Sequence, residues 1–283
     1  MKHSQNGYSY SSWFLKICLV LGLLFLYLPL FILVIYSFND SKMVTVWGGF
    51  TTKWYFELLH NEVILSSAWL SLKMAIVSSA SAVILGMLAG YALERIKIFK
   101  GNTLFAGMVN APMMMPEVIS GLSMLMLIFQ TQIVIQAIGF ENFRFERGFF
   151  TIWLAHTTMI MAYVTVIIRA RLSELDDSLE EAAMDLGARP LKIFFVITLP
   201  MIMPAIISGF MLGFTLSFDD LVIATFVSGP ESVTLPQIIF SKIRRGLDPQ
   251  MNVLATIMLV VIGTLVIGGN YLLMKNQVKN SSY

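Results

Sequence analysis

Apolar residues arrive in six long runs, at 17–38, 70–92, 105–129, 149–168, 203–227 and 253–274, separated by shorter polar connections. Runs of about twenty residues, rising 1.5 Å each, cross a hydrocarbon core of roughly 30 Å. The pattern predicts an all-α integral membrane protein, one transmembrane domain over 1–283 with six membrane-spanning helices. The first run is too long for a signal peptide and no small-residue cleavage site follows it, so it should stay attached as a helix. Aromatics of the kind that settle at a membrane boundary, Trp47, Trp54 and Tyr55, mark the connection after the first span, and 54–60 reads as a short interfacial helix.

An even number of spans places both termini on one side. With the termini inside, the cytoplasmic segments carry Lys2, Lys16, Arg95, Lys97, Lys100, Arg169, Arg171, Arg189, Lys192, Lys275 and Lys279. The outer segments carry Lys42, Lys53, Arg144, Arg147, Lys242, Arg244 and Arg245. The excess of inner basic residues favours cytoplasmic N- and C-termini, although the 242–245 cluster runs against it.

The inner connection at 169–201 is the most polar. Ser178 and Glu181 have the spacing of a capping box, Gly187 can end the helix that starts there, and Arg189-Pro190 can start another. Leu191, Phe194, Phe195 and 197–199 supply an apolar face to this second helix, and Pro200 is expected to end it. The prediction is a cytoplasmic helical hairpin.

Three acids fall inside predicted spans, where a charge costs a few kcal/mol and normally faces a cavity or a partner. Asp219 shares a polar stripe with Ser208 and Thr215, all within roughly 20° of Ser208 at 100° per residue. Asp220 lies about 100° away, nearer Gly209 and Gly213, a pair that permits close helix packing. Glu117 shares a face with Asn110 and Gly121 on the third span, which Pro112 and Pro116 should kink. Each acid could line a pathway, or could close a buried ion pair or a hydrogen bond to a freed backbone group. Lys73 is the only intramembrane base set against them, so the interior should be net negative and suit a di- or tri-ammonium solute.

Composition narrows the function further. Apolar residues make up 57% of 283 positions and charged ones 13%, and the net charge is +2, which excludes a soluble enzyme surface and a nucleic-acid partner. The one cysteine, Cys18, cannot form an intrachain disulfide. The three histidines, His3, His60 and His156, lack ligand spacing, so no metal site is expected; His156 reads as a helix-to-helix hydrogen bonder. The nineteen methionines read as adaptable packing residues. No P-loop is present, and no serine–histidine or paired-aspartate arrangement suggests covalent chemistry.

Glu181-Ala182-Ala183, three residues, Gly187, nine residues, then Ile197-Thr-Leu199-Pro200 resembles the EAA loop of ABC importer permeases at every fixed position. The resemblance implies a type I importer permease whose hairpin is a coupling helix, inserted into a groove of a separate ATPase. Glu181, Ala182, Ala183, Gly187, Leu199 and Pro200 would be the coupling residues. Further segments resemble the polyamine branch of the family: Tyr36-Ser-Phe-Asn39, Val44-Thr-Val-Trp47, Ala111-Pro-x-x-Met-Pro116, Ser217-Phe-Asp-Asp-Leu-Val222 and Phe226-Val-Ser-Gly229. They imply a bacterial inner-membrane importer of putrescine or spermidine, with Asp219, Glu117, Asp220, Thr215 and Ser208 along its pathway. The expected partners are a dimer of ATPase subunits holding ATP and Mg, a second homologous permease and a periplasmic polyamine-binding protein. This chain would bind no cofactor. The alternatives are an importer of another cationic or small polar solute, and a proton-coupled secondary transporter with Glu117 or Asp219 as proton carrier.

Overall fold

The computed structural model describes residues 9–43, 46–96, 99–140, 142, 144–246 and 248–280. Lys2, His3, Val44, Thr45 and Lys97, which figured above, lie outside them. The described residues fold into helices: α1 (Ser9–Tyr36), α2 (Lys53–Leu59), α3 (Glu62–Tyr91), α4 (Asn102–Met114), α5 (Glu117–Ala137), α6 (Phe149–Ser173), α7 (Ser178–Asp185), α8 (Pro190–Ile193), α9 (Leu199–Asp219), α10 (Val222–Val227), α11 (Leu235–Arg245) and α12 (Pro249–Asn280). Two π-turns, Ala92–Ile96 after α3 and Phe194–Thr198 between α8 and α9, complete the order. Among the described residues there is no β-strand, only an isolated bridge between Asn39 and Phe50.

Among the described residues, five helical stretches are long and apolar enough to cross a membrane: Trp13–Tyr36, Glu62–Ile96, Glu117–Ala137, Phe149–Ser173 and Pro190–Asp219. The sixth expected span falls in α12, where Pro249–Thr264 is a shorter apolar stretch. The third expected span is not one kinked helix. It breaks at Met115, which is extended (φ −89°, ψ 140°), because Pro116 offers no N–H and pushes its predecessor out of the helical region. Pro112, by contrast, is carried inside α4. Asn110 and Glu117 therefore do not share a helix, and Glu117 opens α5 instead of lying mid-span.

Pro200 does not end the second helix of the hairpin either. The helix runs from Pro190 to Asp219, passing through the π-turn just before Pro200. A π-turn relaxes the regular i to i−4 pairing, so the donor that Pro200 lacks falls where the ladder is already rearranged.

The chain forms two units, 1–65 with 241–283, and 66–240. In the first, Asn39 organises the segment after α1. Its Nδ2 donates to the Val46 carbonyl (2.8 Å), its Oδ1 accepts from the Gly48 and Ser41 amides (2.7 and 3.2 Å), and its own carbonyl accepts from Trp54 Nε1 (2.8 Å). Asn61 Nδ2 donates to Gln250 Oε1 (2.9 Å), fixing the approach to α12.

The second unit is built around α6, whose Ile152, Ile160, Val164, Ile168 and Leu172 are buried among residues of α3, α5, α9 and α10. Lipid tails are as apolar as such a core, so helices in a membrane associate through close packing and polar links more than through hydrophobic transfer. Both devices are present. A Cβ on Gly86 of α3 or on Gly213 of α9 would come within 2.8 Å of Val164 or 2.5 Å of Ile160, so these backbones rest directly on α6. At the start of α6, Thr151 Oγ1 donates to the carbonyl of Val227 at the end of α10 (2.7 Å).

Candidate functional site

The Ser217-Phe-Asp-Asp segment ends α9 by sending its two acids in opposite directions. Asp219 is the last helical residue and exposed; Asp220 is extended (φ −67°, ψ 123°) and buried. The Asp220 carboxylate accepts from the amides of Ile223 (3.2 Å) and Ala224 (2.7 Å), capping α10, and lies 3.1 Å from His156 Nε2. His156 Nδ1 is 2.7 Å from Ser217 Oγ. Both ring nitrogens are thus engaged, one by the serine hydroxyl and one by the carboxylate.

Sequence reasoning saw no serine–histidine arrangement, yet the structure aligns Ser217, His156 and Asp220 in the order of a nucleophilic triad. The helix break turns Asp220 back toward α6, a geometry invisible in residues more than sixty positions apart. All three side chains are buried in packed helices, and the carboxylate is already committed to two backbone amides. The line therefore latches α6 to the α9–α10 corner. The prediction for His156, a helix-to-helix hydrogen bonder, matches this position.

The stripe predicted on α9 is a surface feature: Ser208, Thr215 and Asp219 are all exposed, while Gly209, Gly213 and Ser217 are buried on the opposite side. Ser208 Oγ donates to the Pro204 carbonyl (2.9 Å) and Thr215 Oγ1 to that of Met211 (3.0 Å), so each hydroxyl presents lone pairs outward. Glu117 is exposed at the first turn of α5, where the helix dipole favours a negative charge. A cavity of about 230 Å³ lies at the α4–α5 break, lined by Met108, Met115, Met124 and Met159 together with Ser120, Ser123 and Thr158. A second, of about 420 Å³, is lined by Glu94, Asn110, Thr165, Arg169 and Ser173.

The hairpin at 169–201 forms the other candidate site. Helix α7 begins at Ser178 as expected, but not through a Ser178–Glu181 capping box. Asp176 Oδ1 accepts from the Ser178 amide (2.9 Å), and Glu181 points to solvent. The acid one position earlier, Glu180, is the one turned inward, where its Oε1 accepts from Thr198 Oγ1 (2.8 Å). An aspartate two residues before the first amide closes a tight local turn of its own, which displaces the serine from that role.

Gly187 ends α7 at φ +80°. Its amide donates to the Met184 carbonyl (2.8 Å) and that of Ala188 to Ala183 (3.0 Å), the paired bonds of a Schellman motif. Glu181, Ala182 and Gly187 are exposed, Ala183 and Leu199 are half-buried, and Pro200 is exposed at the start of α9. Leu179, Met184, Leu186 and Leu191 are exposed apolar residues on the same hairpin, Leu186 at 89%.

Sequence reasoning missed the basic side of this site. Arg95, in the π-turn after α3, donates from Nη1 to the Asp177 carboxylate and holds Nε 3.3 Å from Glu180 Oε1. Its neighbour Glu94 pairs with Arg169 Nε at 3.0 Å. Adjacent charges of opposite sign at the end of an apolar run were the available signal.

The family model described as binding-protein-dependent transport system inner membrane component matches residues 82–277. The chain is 55% identical over 247 residues to the putrescine transport system permease protein PotI of Escherichia coli (strain K12), covering 87% of this chain and 86% of that protein. It is 39% identical over 243 residues to the spermidine/putrescine transport system permease protein PotC of the same strain, covering 86% and 87%. Among solved structures, a chain of a bacterial ABC transporter involved in import of the acidic polysaccharide alginate superposes with a TM-score of 0.73 at 16% identity, over 97% of this chain and 99% of that one. A chain of the MetNI methionine ABC transporter superposes at 0.59 with 17% identity, over 75% and 95%.

Proposed function

Because the chain belongs to the binding-protein-dependent transport system inner membrane components, we propose that it is the permease subunit of an ATP-driven polyamine importer and that putrescine is its cargo. The observation that carries the cargo is the 55% identity to a putrescine permease across 87% of the chain. The exposed carboxylates support it: Asp219 and Glu117 each lie on the surface of a membrane-embedded helix, where lipid would make a bare charge costly. A second, homologous permease facing these helices would enclose both acids in a shared path, and an alkyl diammonium would neutralise them in passing. Ser208 and Thr215 add hydroxyl acceptors along the same wall. Asp220 holds the α9–α10 corner and so shapes the path from behind.

The hairpin is the engine contact. Leu179, Met184, Leu186 and Leu191 are apolar side chains with no lipid to cover them, and a groove on an ATPase subunit would bury them. ATP and Mg belong to that subunit, and its closure would drive α7, a short helix fixed at both ends, as a rigid lever. The termini lie in the cytoplasm on this reading, and a periplasmic binding protein delivers the cargo to the outer face.

Labelled putrescine and spermidine uptake, in cells lacking their own polyamine importers and supplied with this chain, its ATPase, sister permease and binding protein, tests the proposal. Uptake that requires the ATPase, survives an uncoupler and falls roughly tenfold with Asp219→Asn, as loss of one cation contact of about 1.4 kcal/mol would give, is the expected result. An assembled, ATP-hydrolysing complex that moves neither polyamine discards the cargo. Uptake by this chain alone that collapses with an uncoupler discards the ABC engine in favour of a proton-coupled carrier.

A further inference from the structure

Resting on the permease reading above, we propose that Arg95 is the positioning residue that ties the coupling helix to the end of the second span, so that the ATPase stroke reaches α3 as well as α9. By covalent connection alone α7 can pull only on α6, before it, and on α8 and α9, after it. Helix α3 lies more than eighty residues away in sequence from the acids that α7 presents to it.

Arg95 bridges that distance. Its side chain is 9% exposed, against 15% for Glu180 and 54% for Asp177. The guanidinium reaches two carboxylates at successive edges, Asp177 just before α7 and Glu180 within it, a task suited to a rigid planar fork and not to an ammonium. Nε and Nη2 are both buried and make no hydrogen bond, so Nη1 alone hydrogen-bonds, to Asp177, the Glu180 contact is an ion pair, and the charge has given up water for these two acids. Glu180 passes the link on through its 2.8 Å bond from Thr198.

The backbone around Arg95 supports a moving part. Two π-turns are involved, Ala92–Ile96, which carries Arg95, and Phe194–Thr198 within the hairpin, features that recur at functional positions because the local ladder is loosened. Tyr91, the last residue of α3 and next to the first turn, meets Phe194 of the second edge-to-face, with ring centroids 5.2 Å apart. Glu94, beside Arg95, pairs with Arg169 at the end of α6, so one π-turn holds α6 with one residue and α7 with the next. A pull on α7 is thereby shared among α3, α6 and α9.

The test uses the complete importer in proteoliposomes, with Arg95→Gln, Glu180→Gln and both together, measuring ATP hydrolysis and putrescine uptake side by side. Each single variant should keep hydrolysis near wild type while uptake drops roughly fivefold or more, and the double variant should be no worse than either single one, as for two members of one contact. Arg95→Lys, which keeps the charge and loses the fork, should fall between. An unchanged ratio of hydrolysis to uptake in Arg95→Gln, or losses that multiply in the double variant, overturns the proposal. Should a lone buried charge block assembly of a single variant, the double variant, with neither charge, decides alone: uncoupled supports, coupled as wild type overturns. If the wild-type complex hydrolyses ATP but moves no putrescine, the cargo reading fails separately. Arg95 is then judged by whether Arg95→Gln makes hydrolysis independent of the binding protein, which supports it, or leaves it dependent, which overturns it.

Discussion

Gly209 and Gly213 stand one turn apart on α9 and face the same helix, yet they do different jobs. A Cβ on Gly209 would meet Val164 at 3.4 Å, an ordinary contact, whereas one on Gly213 would meet Ile160 at 2.5 Å and Ser79 Oγ at 3.2 Å. Gly213→Ala should therefore cost about 1–3 kcal/mol through overpacking, and Gly209→Ala less than about 1 kcal/mol. Thermal unfolding of the purified protein in detergent will check the order: a lower Tm for Gly213→Ala than for Gly209→Ala. The spacing of the two glycines was legible in the sequence, but not which of them carries the close approach. That depends on where along α6 the isoleucine side chain happens to lie. The acids divide in the same way. Their burden as charges in an apolar run and their placing on different faces could be read directly, while the turn of Asp220 onto His156 and the α10 amides needed the helix to break after Asp219.

At the scale of elements, the start of α7 makes a pH-dependent claim. The Ser178 amide, and then its hydroxyl, hold the Asp176 carboxyl below the ordinary aspartate range. A depressed folded value means that the contact contributes at pH above the ordinary aspartate pKa and is lost as pH falls through the lowered one. The first turn of α7 should thus be fully formed at neutral pH and loosen only in strong acid. Amide exchange at Ser178 and Leu179, followed from pH 6 downward and referred at each pH to the free-chain rate, should lose its protection below about pH 4. With Asp176→Ala the same loss of protection should be present at pH 6. Gly187 and the reach of the hairpin were both readable from sequence, because a C-terminal glycine and a polar run between apolar ones act locally. The capping box was not, since Asp176 outcompetes Ser178 through a turn that sequence spacing alone does not rank. The helix that runs past Pro200 was equally hidden, since a π-turn depends on what packs around it.

At the scale of the molecule, the orientation assigned from basic residues has a direct test, made simple by the single cysteine. In a Cys18→Ser background, Leu186→Cys places a thiol on a residue 89% exposed at the end of α7 in the hairpin. A membrane-impermeant maleimide should label it in inside-out vesicles and not in intact spheroplasts, and should lose access when the ATPase is assembled. Labelling in spheroplasts would invert the topology and detach the hairpin from any cytoplasmic partner.

What the sequence determined by itself was the class of molecule, the positions of most long apolar helices, the hairpin and its EAA spacing, and the acids that a membrane would not tolerate without purpose. These follow from the cost of polar groups in hydrocarbon and from chemistry within a turn or two of chain, both of which are written locally. Only the tertiary structure decided that Ser217, His156 and Asp220 form one buried line, that Asp219 faces outward while Asp220 faces in, and that Arg95 reaches across to Asp177 and Glu180. Each of these joins residues from separate helices, and which side chains meet is set by how the helices pack around α6, a property of the whole assembly of spans and of no single stretch of sequence.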